Sequence, residues 1–442
     1  MSSSRIDLPS RLLANLAPWR NAATWRIAFS GGLDSSVLLH LLAQLAKSQL
    51  LPALSALHVH HGLQTVADAW PEHCRSVCDA LGVPLHVVRV QVKTGASLER
   101  AARDARYGAF TEATQANEVL LTAQHRDDQA ETLLFRLLRG AGVRGLSGMP
   151  RERTLGRGHL LRPLLDVTRA ELERYAAEHQ LSWIEDPSNQ DQQFSRNYLR
   201  RQVLPVLAER WPQAVTSLAR SAAHLREAQG LLDELAQIDL AEARSGSEFD
   251  WLGLPSLILA PLEKLAAARQ RNALSHWLAR RTRLPDTDHW SGWDDLRDAA
   301  ADARPIWRLA DGQLQRAAGR IWWLSGSWLR ALPIAGRWAD PSLPLLLPDN
   351  GLVTLVGKIP EGPLHIRYRA GGEIMHLPDR GHRDLKRLLN ESGIPMFARG
   401  RLPLLYRGDQ LLAVANLPGL NANAQEDWRL DWRPLSEDQG LS

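Results

Sequence analysis

A glycine-rich loop that carries several hydroxyl groups follows the first short apolar run of the chain. The run is Trp25–Phe29, and residues 30–35 read Ser-Gly-Gly-Leu-Asp-Ser. Adjacent glycines let a ligand come close to the backbone, and a helix that starts in the loop directs unpaired N–H groups at an anion. The loop has no lysine and so differs from the common P-loop, which disfavours phosphoryl transfer of the kinase type. We predict a nucleotide phosphate site formed by Ser30, Gly31, Gly32, Leu33, Asp34 and Ser35.

A second polar cluster follows the apolar run Val119–Thr122. It contains His125, Asp127, Asp128 and Glu131. If a helix begins near Asp127, Asp128 and Glu131 share one face, because residues three apart are neighbours on a helix. Carboxylates can accept protons, bind amino groups or hold a divalent metal, and a histidine can shuttle a proton. Two acidic residues in a first turn can also serve only the helix dipole, but their place after a strand favours a functional site.

Two further motifs are weaker. Glu99, Arg103 and Arg106 fall on one helical face, and the alternative to a functional role is a solvated stripe of ion pairs. Residues 140–145 match the dinucleotide fingerprint GxGxxG. Because they follow a helix and not a strand, the context of that fingerprint is missing, and we predict a loop and no NAD site.

Histidines at positions 58 and 60 and cysteines at positions 74 and 78 raise the question of a metal site. The two cysteines are spaced Cys-x3-Cys, which is helical spacing and not the Cys-x2-Cys of a zinc knuckle. We therefore expect these side chains to pack or to form hydrogen bonds within the core.

The elements that must position these residues alternate between short apolar runs and stretches with helical spacing. The runs are 25–29, 54–59, 85–90 and 119–122, and such alternation predicts βαβ units in a doubly wound parallel sheet of the α/β class. Ligands of such sheets bind at the carboxyl ends of the strands, where both polar clusters stand.

The rest of the chain has a different pattern. Residues 213–300 are mostly helical, and residues 305–325 form a β meander with turns at Asp311-Gly312 and Ala318-Gly319. A proline-rich stretch then indicates a linker, and the last part mixes short strands with a basic helix around 382–389. We predict a mostly helical domain followed by a small α+β C-terminal domain.

Composition excludes several classes of protein. The chain has 442 residues, a net charge of +4 and two cysteines. A length of this order suggests two to four domains, and two cysteines exclude a disulfide scaffold. No apolar run reaches the roughly 18 residues of a membrane span, and the N-terminus lacks the features of a signal peptide. We expect a cytoplasmic protein without disulfides or membrane segments. The small charge excess does not by itself indicate a nucleic-acid binder.

Together these motifs resemble a known family. The SGGLDS loop after a strand is the signature of the PP-loop ATP pyrophosphatases, which cleave ATP between its α- and β-phosphates. The helical region, the linker and HRDLKRLLNESGIPMFARGRLPLLY at 382–406 resemble the long, multi-domain form of the tRNA(Ile)-lysidine synthetases. Four further segments, in the same order, resemble the same family. They are HVHHGL at 58–63, LERAARDARYGAF at 98–110, HRDDQAETLLFRLLRGAGVRGLSGM at 125–149 and DPSNQDQQFSRNYLRRQVLPVL at 186–207.

The resemblance implies a fold, a reaction and roles for residues. The fold is a Rossmann-like PP-loop ATPase domain, and the reaction joins free L-lysine to C2 of the wobble cytidine in the CAU anticodon of tRNA(Ile), with ATP converted to AMP and pyrophosphate. ATP would contact residues 30–35, and Mg²⁺ would be held by Asp34 and Asp127. The catalytic candidates are Asp34, Arg103, His125, Asp128, Glu131 and Arg196, with His125 as a proton shuttle and the two arginines on a carboxylate or phosphate.

The resemblance also implies an organisation of the chain. We expect a catalytic domain at 1–212, a mostly helical tRNA-binding domain at 213–330, a linker at 331–350 and a C-terminal tRNA-binding domain at 351–442. A homodimer is left open. Three other functions were weighed: a PP-loop tRNA thiolase, which needs Cys-x2-Cys pairs that this chain lacks; a small-molecule amide synthetase, which needs no such extensions; and a tRNA-binding module without catalysis, which the intact loop and acidic cluster disfavour.

Overall fold

The computed structural model describes residues 7–62, 65–92, 98–300, 303–331, 336–378, 380–422 and 428–435. The chain divides into two compact units, Met1–Gly230 and Leu231–Ser442. The boundaries predicted for the helical domain, the linker and the C-terminal domain stay a prediction. In the described part of the chain, no helix combines the length and the apolar character needed to cross a membrane.

The first unit contains six strands and most of the long helices. Its strands are β1 (Thr24–Ala28), β2 (Ala53–His60), β3 (Leu85–Arg89), β4 (Glu118–Leu121), β5 (Glu152–Leu155) and β6 (Gly158–Leu161). Its helices are α1 (Leu8–Leu16), α2 (Leu33–Ser48), α3 (Trp70–Leu81), α4 (Leu98–Ala113), α5 (Arg126–Leu137), α6 (Val143–Leu146), α7 (Arg169–Glu178), α8 (Ser195–Tyr198), α9 (Leu204–Arg210) and α10 (Ala214–Ala241), the last of which extends past residue 230.

The strands form one doubly wound sheet in the order β3-β2-β1-β4-β6-β5, parallel except for the edge strand β5. Successive residues of a strand point to opposite faces. Along β4, Val119 and Leu121 belong to one core and Leu120 to another. Helix α4 contributes Phe110 to the second core, and α2 contributes Leu38 to the first. The predicted α/β class and its four parallel strands are confirmed.

The order of the strands reverses between β1 and β4. The chain runs from β1 to β2 and β3 on one side, and β4 then returns to pair with β1 on the other. At such a switch point the loops after the two strands leave in opposite directions and open a crevice. The glycine loop follows β1 and the acidic cluster follows β4, so both lie at this crevice.

The second unit is built from short helices and three antiparallel-rich sheets. Its helices are α11 (Leu259–Glu263), α12 (Ala267–Leu278), α13 (Ser291–Asp298), α14 (Leu385–Glu391) and α15 (Met396–Arg399). Its strands are β7 (Ser256–Ile258), β8 (Ile306–Arg308), β9 (Gly312–Ala317), β10 (Arg320–Ser325), β11 (Arg337–Trp338), β12 (Leu345–Leu347), β13 (Gly351–Gly357), β14 (Leu364–Arg367), β15 (Ile374–Leu377), β16 (Gly381–Asp384), β17 (Leu404–Arg407), β18 (Gln410–Val414) and β19 (Trp428–Arg433).

The β meander lies where the turn residues predict it. Strands β8, β9 and β10 pair in sequence, and the turn between β9 and β10 is Ala318-Gly319, with φ of 51° and 68°. Two-residue hairpins of this left-handed kind match the twist of the strands, which is why glycine is favoured there.

One expectation for the second unit differs from the structure. The predicted linker at 331–350 stays a prediction, and its described part contributes β11 and β12 and buries Trp338 and Leu347 in the core. The prediction of a basic helix around 382–389 is wrong for its first half. His382 and Arg383 lie on the edge strand β16, and the helix begins only at Leu385, after the Asp384 side chain caps it.

Candidate active site

Contacts with Ile184 hold the glycine loop in place. Gly31 has a φ of 85°, and a Cβ there would lie 2.7 Å from Cδ1 of Ile184. Its carbonyl oxygen accepts a hydrogen bond from the Ile184 N–H at 2.8 Å. Only glycine meets both the left-handed backbone and the close approach. This packing fixes the path of the loop into α2.

The N-terminus of α2 is open toward the crevice. The helix starts after Gly32, and no side chain of the described residues caps it. The hydroxyls of Ser30 and Ser35 lie 3.1 Å apart, and the Ser35 hydroxyl donates to the Gly32 carbonyl at 2.9 Å. The first N–H groups of a helix have no partner within the helix, so this end suits an anion such as a nucleotide phosphate.

His125 caps helix α5 at the carboxyl end of β4. The Asp127 N–H donates to its Nδ1 at 3.2 Å, and its own N–H donates to Asp128 Oδ2 at 3.0 Å, which together form a capping box. The side chain is buried, with 2% of its surface exposed. Carboxylate oxygens of Asp34, Asp127 and Asp128 lie 3.5 to 3.7 Å from its ring nitrogens.

The carboxylates determine the protonation of this ring. Burial by itself lowers the pKa of His125, but Asp127, Asp128 and Asp34 outweigh it and raise the pKa to about 10. A protonated ring has no lone pair for the Asp127 N–H. When the ring is protonated, Nδ1 therefore loses the hydrogen bond from the Asp127 N–H and contacts the Asp127 carboxylate instead.

Arg169 joins the two loops of the crevice. Its Nη1 donates to both carboxylate oxygens of Asp34, at 2.9 and 3.0 Å, and its backbone N–H donates to Asp127 Oδ2 at 2.9 Å. Burial by itself raises the pKa of Asp34, but His125 and Arg169 outweigh it and lower the pKa. Sequence reasoning missed Arg169. A signal was present, because an arginine in the first turn of a helix opposes the helix dipole and calls for another partner.

Arg200 neutralises the second pair of carboxylates. Its Nε and Nη2 donate to the two oxygens of Glu131 at 2.6 and 2.9 Å, and Nη2 also donates to Asp128 at 3.0 Å. Burial raises the pKa of Glu131 despite this cation. Arg200 lies in a π-helical turn, Leu199–Val203, between α8 and α9. Such a turn changes the direction of side chains, so regular helical spacing could not predict this contact.

The structure brings together Asp34, His125, Asp127, Asp128 and Glu131, and we call this group, with Arg169 and Arg200, the acid pocket. Arg103 and Arg196 contact none of these carboxylates among the described contacts. Arg103 instead packs on the ring of Tyr107, with its Cζ 4.7 Å from the ring centroid. The roles predicted for these residues stay predictions.

The donor sets distinguish between candidate metals. Among the described residues, no group of three His, Cys, Asp or Glu side chains is arranged to hold a metal. Mg²⁺ commonly uses one or two carboxylates and the phosphates of a nucleotide, and Asp34 and Asp127, which converge on Arg169, fit that pattern. Burial raises the pKa of Cys74 to about 12 and that of Cys78 to about 11, so both thiols are neutral in the metal-free protein.

Comparison with known proteins places this site in a family. Residues 7–207 match a PP-loop domain, 257–322 a TilS substrate binding domain and 364–432 a TilS substrate C-terminal domain. Proteins called tRNA(Ile)-lysidine synthase are similar over the whole length: one from Pseudomonas fluorescens is 73% identical over 100% of both chains. One from Pseudomonas syringae is 66% identical over 99% of this chain and 98% of the relative, and one from Pseudomonas aeruginosa is 63% identical over 99% of both. The chain belongs to the tRNA(Ile)-lysidine synthase family.

Proposed function

We propose that this chain forms lysidine, by joining free L-lysine to C2 of the wobble cytidine in the CAU anticodon of tRNA(Ile) and converting ATP to AMP and pyrophosphate. One observation carries the proposal: the uncapped N-terminus of α2 and the carboxylates after β4 adjoin at the switch point of the sheet. A phosphate site beside an amine site is what the reaction requires. Similarity over the full length to relatives of that name supports the same reaction.

The reaction needs two steps, because the O2 atom of cytidine is a poor leaving group. In the first step O2 attacks the α-phosphorus of ATP, and the bond to the β-phosphate breaks with release of pyrophosphate. In the second step the ε-amino nitrogen of lysine attacks C2, and the C2–O2 bond breaks so that AMP leaves with that oxygen. A lysine ammonium has a pKa of about 10.4, so one proton must leave before attack and another after it.

The glycine loop and its neighbours serve the first step. The N–H groups of Leu33 and Asp34, with the hydroxyls of Ser30 and Ser35, surround the place where the phosphates of ATP bind. Asp34 and Asp127 would hold Mg²⁺, which when bound stabilises the negative charge on the departing pyrophosphate. Until then the Arg169 guanidinium compensates the charge of Asp34, and the Arg169 backbone N–H donates to Asp127.

Asp128 and Glu131 serve the second step. Their oxygens accept hydrogen bonds from Arg200, so the site already accommodates a cation. The lysine ammonium then replaces the Arg200 guanidinium at the same oxygens. Burial raises the pKa of Glu131, which makes this carboxylate a better proton acceptor than an exposed one. His125 lies near Asp34 and Asp128 and is the candidate that passes the proton on; because its ring is already protonated at neutral pH, it must give up its own proton before it accepts another.

The second unit is proposed to hold the tRNA. The matches to substrate-binding and C-terminal domains of the family support contacts from both predicted regions, 213–330 and 351–442. The cytoplasmic location and the homodimer remain predictions.

The direct test is incubation of the enzyme with ATP, radiolabelled lysine and bulk tRNA, followed by nucleoside analysis. Asp34→Ala should eliminate ATP-dependent pyrophosphate release, because the loop loses its proposed Mg²⁺ ligand, while tRNA binding is largely kept. Asp128→Ala should abolish lysine incorporation. Asp104→Ala, which changes an exposed carboxylate on α4, is the matched control. Release of ADP and orthophosphate in place of AMP and pyrophosphate would contradict the proposed reaction.

A further inference from the structure

Arg162 is a buried arginine that pairs with no carboxylate of the described residues. It directly follows β6 at the carboxyl edge of the sheet, and 3% of its surface is exposed. Its Nη1 donates to the Pro150 carbonyl at 2.8 Å, but its buried Nε has no hydrogen-bond partner among the described residues. Burial of an uncompensated charge is costly, so a group in this state calls for a partner.

Two more arginines share a tyrosine with Arg162. The Cζ atoms of Arg103 and Arg153 lie 4.7 and 4.9 Å from the centroid of the Tyr107 ring. Burial by itself raises the pKa of the Tyr107 hydroxyl, but Arg103 and Arg162 outweigh it and lower the pKa. A cation–π contact attracts a guanidinium without cancelling its charge. The Tyr107 ring thus holds positively charged side chains close together without neutralising them.

Arg136 and Arg196 extend this group. Arg136 donates from Nη1 to the carbonyls of Gly145 and Gly148 at 2.7 and 3.0 Å. Burial lowers its pKa, and the charges of Arg196 and Arg103 lower it further. We call Arg103, Arg136, Arg153, Arg162 and Arg196 the arginine cluster. None of the five forms an ion pair with a carboxylate of the described residues.

The arginine cluster adjoins the acid pocket. Arg136 lies on α5, five residues after Glu131, and Arg196 lies on α8, four residues before Arg200. One lysine carboxylate could compensate only one of the five positive charges. A strand of nucleic acid carries one negative charge per nucleotide and can compensate several at once. Guanidinium groups are also well suited to bind phosphate oxygens in pairs.

We propose that the arginine cluster binds backbone phosphates of the tRNA anticodon strand next to the reactive cytidine. This inference rests on the proposed function, which brings that strand to the acid pocket. The exposed Arg103 and Arg153 contact the phosphates, and the buried Arg162 adds its charge from behind Tyr107. The cluster is thereby a positioning site within the catalytic unit for the RNA, separate from the residues that bind ATP and lysine.

The test compares Arg153→Ala with Arg157→Ala, a control in the turn that follows β5. Arg157 is exposed and hydrogen-bonded to Gln115, and it is outside the arginine cluster. Loss of one charged phosphate contact should raise the KM for tRNA roughly tenfold. It should also reduce the slope of log affinity against log salt by about 0.7. The KM values for ATP and lysine should stay within about twofold of wild type, and Arg153→Lys should recover the salt slope, because the charge returns, but only part of the affinity, because an ammonium does not bind phosphate oxygens in pairs.

Filter binding of tRNA without ATP or lysine separates the two proposals. If wild type forms no lysidine but Arg153→Ala still loses affinity and salt slope relative to Arg157→Ala, the reaction is wrong and the arginine cluster stands. If the KM for lysine rises and tRNA affinity does not, the anion is the lysine carboxylate and the inference is overturned. Equal tRNA affinity and equal salt slopes for both variants overturn it as well. Arg103→Ala repeats the comparison from the other side of Tyr107, so that one misfolded variant does not decide the outcome.

Discussion

The acid pocket and the arginine cluster share helices but treat their charges in opposite ways. In the acid pocket each carboxylate touches a cation of the protein: Asp34 meets Arg169, and Asp128 and Glu131 meet Arg200. In the arginine cluster the guanidiniums contact carbonyls and a tyrosine ring, and Arg162 Nε has no hydrogen-bond partner in the part of the chain that the structure describes. One region is neutralised before a substrate arrives, and the other is not.

The difference shows which kind of ligand each region awaits. On the proposed function, a cationic amine would enter the acid pocket by exchange with an arginine, so that little net charge is moved and the carboxylates stay paired throughout. The arginine cluster has no internal anion to exchange, and its charge is compensated only from outside. Charge that is left over in a folded protein is therefore a better indicator of a polyanionic partner than the overall net charge of +4.

The largest effect is expected for Glu131→Gln in the acid pocket. The amide keeps the shape of the side chain but cannot accept the lysine proton or pair with a cation, so kcat/KM for lysine should fall roughly 100-fold. Single-turnover release of pyrophosphate should persist, because it precedes lysine attack. Glu72→Gln, at an exposed carboxylate on α3, provides the control. An unchanged kcat/KM for lysine would remove Glu131 from the second step and leave the acid pocket without its proposed ligand.

The parts of the site that could be predicted from sequence are those encoded locally. The glycine loop follows β1 directly, and the acidic cluster follows β4, so strand pattern and residue type were enough to place both at one sheet edge. Arg169 and Arg200 come from segments far along the chain. Their contacts depend on how α7 begins and on a π-helical turn, and neither is fixed by hydrophobic periodicity.

The same limit applies to the second unit. The β meander was predictable because its turns carry residues that favour a left-handed backbone. Prolines in 331–350 indicate irregular backbone but do not show that Trp338 between them is buried in a core. His382 and Arg383 have the charge of a helix face but pair with β15 as a strand, which only the tertiary partner determines.

Arg169→Ala tests whether an arginine that binds carboxylates differs in function from an arginine that is proposed to bind phosphate. Without the Arg169 guanidinium, Asp34 loses its cation while the backbone N–H that donates to Asp127 remains, and the rate of pyrophosphate release should fall about tenfold. The salt dependence of tRNA binding by Arg169→Ala should equal that of wild type, unlike that of Arg153→Ala. Arg174→Ala, at an exposed position on the same helix, is the control. A lower salt slope for Arg169→Ala would show that the two regions are not distinct in function.

The smallest effect is expected for an ion pair with a structural role only, which serves as the reference for the charged residues of the acid pocket and the arginine cluster. Burial by itself raises the pKa of Glu171, but the Thr168 N–H and hydroxyl and the Arg11 guanidinium outweigh it and lower the pKa to about 2. Glu171→Gln should reduce the free energy of unfolding by about 1 kcal/mol at neutral pH, since solvent screens part of the interaction.

The pH dependence of that loss follows from the direction of the shift. A carboxylate whose pKa is depressed on folding stabilises the protein above its unfolded pKa, about 4.3, and this contribution disappears as the pH falls toward the folded value. Denaturant unfolding of wild type and Glu171→Gln should therefore differ at neutral pH, and the difference should begin to shrink near pH 4 and disappear near pH 2. Lysidine formation per folded molecule should not change. A stability difference that is the same at every pH would mean that packing, and not charge, holds Glu171, and the pair would then be no baseline for the carboxylates of the acid pocket.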